Sequence, residues 1–114
     1  MKQVEAFVHS DKRGAVIDAI EKEGVGGLTV FPANGRGKAQ RPTVGQARGT
    51  GRYVAQFNSL DAIVTVVDDS KVDAIISAIT GAASTGSKGD GKIFISEIEQ
   101  AVDIGSKEKG AQAL

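Results

Sequence analysis

Apolar positions alternate at the start of the chain: Val4, Ala6 and Val8 fall on one side of an extended segment, and Glu5, Phe7 and His9 on the other. A period of two over Gln3–His9 predicts a strand with one buried face. The spacing then changes to that of a helix, with Val16, Ala19 and Ile20 in step, Ser10 placed to cap it and Gly24 placed to end it. Gly26 and Gly27 lead into a second short strand, Leu28–Phe31, expected to stop near Pro32 because proline donates no ladder hydrogen bond. A third strand, Ala62–Val67, is apolar at nearly every position, which predicts a central place in a sheet. Asp68 or Asp69 can cap a second helix, in which Val72, Ile75, Ile76 and Ile79 follow the i, i+3, i+4, i+7 pattern of one buried stripe. Ile93–Ile98 reads as the last main strand.

The order βαββαβ predicts an α+β, ferredoxin-like fold: an antiparallel sheet with both helices on one face. The other face then needs a cover, and self-association supplies it most economically. At 114 residues the chain is one domain, too small to enclose a deep pocket alone, so any sizeable site is expected between subunits.

Two segments do not serve the core. Asn34–Ala55 holds five glycines (Gly35, Gly37, Gly45, Gly49, Gly51) and five basic residues (Arg36, Lys38, Arg41, Arg48, Arg52), and no acid occurs between Glu23 and Asp61. It reads as a long, mobile, basic loop between the second and third strands. The other segment, Thr85–Ile95, joins a glycine-rich turn bearing Lys88 and Lys92 to a β-branched strand. Glycines let backbone N–H groups converge on an anion, and the lysines add charge. A solvated hairpin turn would use the same residues. The segment is no Walker A loop, since it lacks that spacing and leads into a strand.

Charge and composition narrow the rest. The 14 basic and 14 acidic residues cancel, so only local charge can attract an anionic partner. Without cysteine there are no disulfides, thiolate metal sites or thiol nucleophiles, which suits a reducing cytoplasm. No apolar run approaches the ~18 residues of a membrane span, and no leader is recognised, so a cytoplasmic protein without membrane insertion is expected. No metal site is expected either, His9 being the only histidine.

With the long loop, the Thr85–Ile95 turn and Gly24-Val25-Gly26-Gly27-Leu28-Thr29-Val30 all in place, the sequence resembles the P-II signal-transduction family over almost its whole length. The resemblance implies a homotrimer that is not an enzyme, binds ATP or ADP between subunits, and signals nucleotide state to a partner through a T-loop, here 35–55. Thr85-Gly86, then Gly89-Asp90-Gly91-Lys92-Ile93-Phe94, looks like the family's B-loop, here 85–92. Gly35 and Gly37 resemble the base of the T-loop, and Gly27, Leu28 and Thr29 the segment that approaches the adenine from the neighbouring subunit. Gly89 and Gly91 could turn backbone donors toward phosphate, Lys92 supplies charge, Lys38 could reach the same anion, and Val66 could wall the base. Asp90 would repel phosphate unless it holds a cation or fixes its own turn, and the turn role is preferred.

Departures from the pattern point elsewhere. Two arginines of the family's C-terminal segment fall on Asp103 and Gly105 in the tail 103–114, so two phosphate clamps are missing and ADP or AMP becomes as credible as ATP. The glutamine that helps hold magnesium and 2-oxoglutarate falls on Ala39, and the lysine that pairs with that effector falls on Leu60, which predicts weak or absent 2-oxoglutarate sensing and leaves magnesium open. The T-loop is two residues longer than usual and different in composition. Its partner is expected to be a membrane transporter or metabolic enzyme with an acidic surface, met by Arg36, Arg41, Arg48 and Arg52. Tyr53 aligns with a tyrosine that some members have nucleotidylated, though a strand-packing role is the plainer reading. Two other functions compete. The basic loop could bind nucleic acid, against which stand neutral charge and few aromatics; a slow nucleotide hydrolase would need a general base, for which only His9 and Glu108 offer themselves.

Overall fold

The computed structural model describes residues 1–37, 43–45, 52–54 and 56–114. Its main sheet holds β1 (Lys2–His9), β2 (Thr29–Gly35), β5 (Asn58–Val67) and β6 (Gly91–Glu97) in the order β2-β5-β1-β6, all antiparallel. Helices α1 (Arg13–Glu21) and α2 (Val72–Ala83) contribute to one core with the sheet. This is the α+β, ferredoxin-like arrangement that the order of elements predicts.

The alternation in β1 works as the sequence implies: Val4, Ala6 and Val8 are buried against Val16, Ile20, Ile75 and Ile79 from the helices. Phe7 and His9 therefore lie on the opposite, helix-free face, where register sets Phe7 opposite Ala62 on one side and Lys92 on the other. Phe31 and Phe94 are partly exposed, at 43% and 54%. Both share the face of Phe7 by strand alternation, so two large aromatic side chains stand exposed on a sheet face that also carries Glu5 and Lys92.

Several local expectations need correction. Ser10 does not cap α1: it begins a 3-10 turn, Ser10–Lys12, and its hydroxyl bonds the Ser59 hydroxyl at 3.0 Å. The second strand does not stop at Pro32 but runs on to Gly35, with Pro32 opposite Asp61. The reason is position, since β2 is an edge strand and its proline can turn the donorless side away from the ladder. The third strand, central as expected, starts four residues earlier, at Asn58, because its polar opening pairs with the extended end of β2. Within the loop, β3 (Thr43–Gly45) and β4 (Arg52–Val54) pair as a two-stranded ribbon, with Val44 opposite Tyr53 and Gly45 opposite Arg52. The loop thus carries regular structure that its glycine content hid, seeded by the β-prone pairs Thr43-Val44 and Tyr53-Val54. Lys38, Ala39, Arg41 and Arg48 lie outside the described residues.

Helix ends follow simple chemistry. Asp68 caps the turn into α2 by accepting from the Ser70 N–H at 3.0 Å and its hydroxyl at 2.7 Å, which holds the Asp68 carboxyl below its ordinary value. Lys71 donates to the Glu23 and Gly24 carbonyls at 2.7 and 3.2 Å, satisfying groups just past α1 where Gly24 takes a φ of 73°. Asp61 is a costly burial. It is 3% exposed, its Oδ2 has no partner among the described residues, and the Arg13 guanidinium stands 3.8 Å from its Oδ1. Removing one member of a buried pair is destabilising, but the long distance and half-exposed arginine reduce the loss. Arg13→Met is expected to lower unfolding free energy by about 1 kcal/mol in a urea titration, and an unchanged midpoint would show that Arg13 gives Asp61 nothing.

Candidate functional site

The turn that follows α2 is organised by one carboxylate. Asp90 Oδ2 accepts from the Thr85 N–H at 2.5 Å and the Ser87 N–H at 3.2 Å, while Oδ1 accepts from the Thr85 hydroxyl at 2.5 Å. The bond from the Thr85 hydroxyl, then that from the Thr85 N–H, hold the Asp90 carboxyl below its ordinary value. Its charge is thereby committed to the turn, which resolves the repulsion that a carboxylate beside an anion would otherwise bring.

Two glycines of this turn have positive φ, Gly86 at 85° and Gly91 at 127°. At Gly91 a side chain would also collide with the Phe7 carbonyl oxygen of β1, so backbone approach and torsion both demand glycine there. Gly89, singled out in the sequence for the same freedom, is held differently: its N–H donates to the Ser87 hydroxyl at 3.2 Å and its carbonyl bonds His9 Nε2 at 2.6 Å. His9 thus carries its proton on Nε2 and straps the turn to the end of β1. That nitrogen, engaged in this strap, is poorly placed to act as a general base.

Beside the strap lies a cleft of about 320 Å³. One wall is the turn, with Lys88, Gly89, Gly91 and Lys92; the other is the end of β2 and the first residues beyond it, with Gly35, Arg36 and Gly37. Its floor is apolar, formed by Phe7, Phe94, Ala33 and Leu60, the two phenyl rings meeting edge to face at 6.1 Å. Leu60 occupies the space a side chain on Gly35 would need. Among the described residues that line the cleft are three cations, Arg36, Lys88 and Lys92, and no carboxylate, so its field favours an anion.

The structure therefore joins Gly35, Gly37, Gly89, Gly91 and Lys92 in one site, with Asp90 holding the turn behind them. It does not bring Gly27, Leu28, Thr29 or Val66 there. Thr29 is six residues along β2 from Gly35, about 20 Å at the rise of a strand. These four form a second group at the far end of the sheet, where the Thr65 hydroxyl donates to the Gly27 carbonyl at 2.7 Å. The backbone of Leu114 lies against Gly26 at the same end. Phe7, Asn58 and Phe94 line the cleft but were not picked out from sequence; the signal available was alternation, which sets Phe7 and Lys92 on one face once the strands are paired.

The tail is folded. Val102 bridges to Lys109, Asp103 accepts from the Ser106 N–H at 2.8 Å and its hydroxyl at 2.7 Å, and Gly110–Ala113 forms a 3-10 turn. The Ser106 N–H, then its hydroxyl, keep the Asp103 carboxyl below its ordinary value. Neither Asp103 nor Gly105 offers a cation.

The sequence profile described as "Nitrogen regulatory protein P-II" matches residues 1–108. The chain belongs to the P-II family. It is 41% identical to a nitrogen regulatory protein P-II of Rhodobacter capsulatus, 40% to one of Azospirillum brasilense and 39% to one of Nostoc punctiforme, each over 114 residues covering all of both chains. Membership places it among regulatory signal-transduction proteins. Among the described residues of this P-II chain no three His, Cys, Asp or Glu side chains are grouped to hold a metal, and no helix is long and apolar enough to cross a membrane.

Proposed function

We propose that this P-II chain is a non-catalytic regulatory trimer that binds ADP or ATP, with AMP a further candidate, in clefts between subunits. Occupancy of the cleft reorders the T-loop, which controls a transporter or metabolic enzyme with an acidic surface. One observation carries the reading: the base of the T-loop and the B-loop are the two walls of a single cationic cleft with no acid among its described lining residues. A phosphate bound there touches the loop that signals. The split between this cleft and the Gly27, Leu28, Thr29 and Val66 group supports an intersubunit site, because both groups can meet one nucleotide only if the second comes from a neighbour. The phenylalanines exposed on the helix-free sheet face support self-association for the same chain.

Gly35, Gly37, Gly91 and Lys92 would surround the phosphates, and Leu28, Thr29 and Val66 the base. Apolar Leu60 at the cleft floor argues against a second carboxylate ligand, since it offers no charge to pair with 2-oxoglutarate. Magnesium has no protein ligand in this reading and would arrive on the nucleotide.

Calorimetric titration with ADP, ATP and AMP, each with and without magnesium and 2-oxoglutarate, tests the proposal. The expected result is saturable binding of one nucleotide per subunit, unchanged by 2-oxoglutarate. Heat-silent titrations with all three nucleotides would remove it. Binding of the basic T-loop to its partner should weaken between low and physiological salt, as exposed charge pairs do.

A further inference from the structure

Arg36 holds the two ends of the T-loop together. It stands just after β2, and its Nε–H donates 2.8 Å to the carbonyl of Gln56, which lies just before β5. Its guanidinium also stacks over the Phe57 ring, 4.7 Å from the centroid. Both contacts are made to the returning strand of the loop, twenty and twenty-one positions along the chain. Arg36 is therefore a clasp across the loop base as well as a lining residue of the anion cleft.

Neither partner of the clasp is charged. A carbonyl oxygen takes one of the five guanidinium donors and a ring face takes none, so the cation is held without being neutralised. A phosphate offers two anionic oxygens to the guanidinium fork at once, and such doubly charge-assisted pairs are the stronger bonds. The clasp also lies where Lys88 and Lys92 concentrate positive potential. An anion in the cleft relieves that crowding and competes for Arg36 directly.

We infer that Arg36 is an anion-responsive positioning residue: tied to Gln56 and Phe57 when the cleft is empty, it turns to a bound phosphate and thereby unfastens the base of the T-loop. This gives Arg36 a role at the nucleotide site in place of a free docking charge on the loop. It rests on the nucleotide reading above and says how occupancy reaches the loop. Differential affinity of the ligand for the two positions of one side chain shifts the loop's equilibrium.

Hydrogen–deuterium exchange of the segment containing Gln56 and Phe57, in wild type, Arg36→Met and Phe57→Leu, with and without saturating ADP or inorganic pyrophosphate, tests it. In wild type either anion should speed exchange of the segment at least tenfold. In Arg36→Met, which keeps length but loses charge and donors, exchange should already be fast and no longer respond. Phe57→Leu should fall between, because the Gln56 bond remains. Calorimetry on the same samples reports binding separately. If ADP binds and exchange of the segment is unmoved, or if Arg36→Met responds like wild type, the clasp is not the coupling element while the nucleotide site stands. If neither ADP nor pyrophosphate binds, the nucleotide reading and the coupling fall together, and the ligand-free comparison of wild type with Arg36→Met still decides whether the clasp exists.

Discussion

Gly91→Ala is expected to cost about 3 kcal/mol of folding stability and to abolish nucleotide binding. Two independent penalties meet at this position. The φ of 127° lies in a region that residues with a Cβ rarely enter, and a Cβ built there falls onto the Phe7 carbonyl oxygen. The obstructing atom is backbone of the central β1 strand, so relief requires the start of β6 to move away from β1 and to give up the pairing of Gly91 with Val8. That movement displaces Lys92 and the turn that together form one wall of the cleft. Urea denaturation gives the stability change and calorimetry the binding. Gly37→Ala is the matched control, since it lines the same cleft and a Cβ there meets nothing within 4 Å among the described residues. A Gly91→Ala protein as stable as wild type would show that the B-loop can accept a side chain at this torsion.

Asp90→Ala is expected to weaken nucleotide binding by at least about tenfold while leaving the rest of the fold intact. The Asp90 side chain is not among the lining of the cleft; it receives the Thr85 N–H, the Thr85 hydroxyl and the Ser87 N–H and so fixes the turn before a ligand arrives. Without it the turn must be ordered at the expense of binding. Asp90→Asn keeps a side-chain carbonyl acceptor and should recover part of the affinity. The pH dependence has a definite sign. The folded-state value of Asp90 lies below the ordinary carboxylate value of 3.8, so its contribution is present in full above 3.8 and is lost as pH falls through the lower folded value. B-loop order, followed by exchange or by NMR of the Thr85 amide, should therefore be flat from neutral pH down to about 4 in wild type and fall only below it. In Asp90→Asn that acid limb should vanish. An Asp90→Ala protein that binds as tightly as wild type would assign the turn's order to other contacts.

Much of this was legible because it is local. The two-residue period of β1 and the 3.6-residue period of α2 set which side chains face the core, and Val4, Ala6, Val8, Ile75 and Ile79 are buried as those periods require. Asp68 caps the 3-10 turn Asp69–Lys71 that leads into α2, through hydrogen bonds to Ser70 two residues away. The turn at 85–91 was visible for the same reason, since Thr85, Asp90 and the glycines that build it lie within seven positions. What was misjudged depends on partners distant in the chain. Pro32 looks like a strand terminator until the edge position of β2 is known. The ribbon of β3 and β4 exists by pairing across the loop, and Ser10 prefers the Ser59 hydroxyl to a helix end.

The sequence by itself determined the order of elements, the buried faces and the glycine-rich turn after α2, because each follows from propensity and periodicity over a few adjacent residues. Only the tertiary structure decided how these pieces form a site. His9 and Gly89 are 80 positions apart, and their bond exists because the end of β1 lies beside the start of β6, where the turn ends. The antiparallel register likewise sets Gly35 and Gly91 on facing walls and leaves Gly27 and Thr29 about 20 Å away. Those juxtapositions arise from long-range hydrogen-bond pairing, which no local pattern of residues encodes.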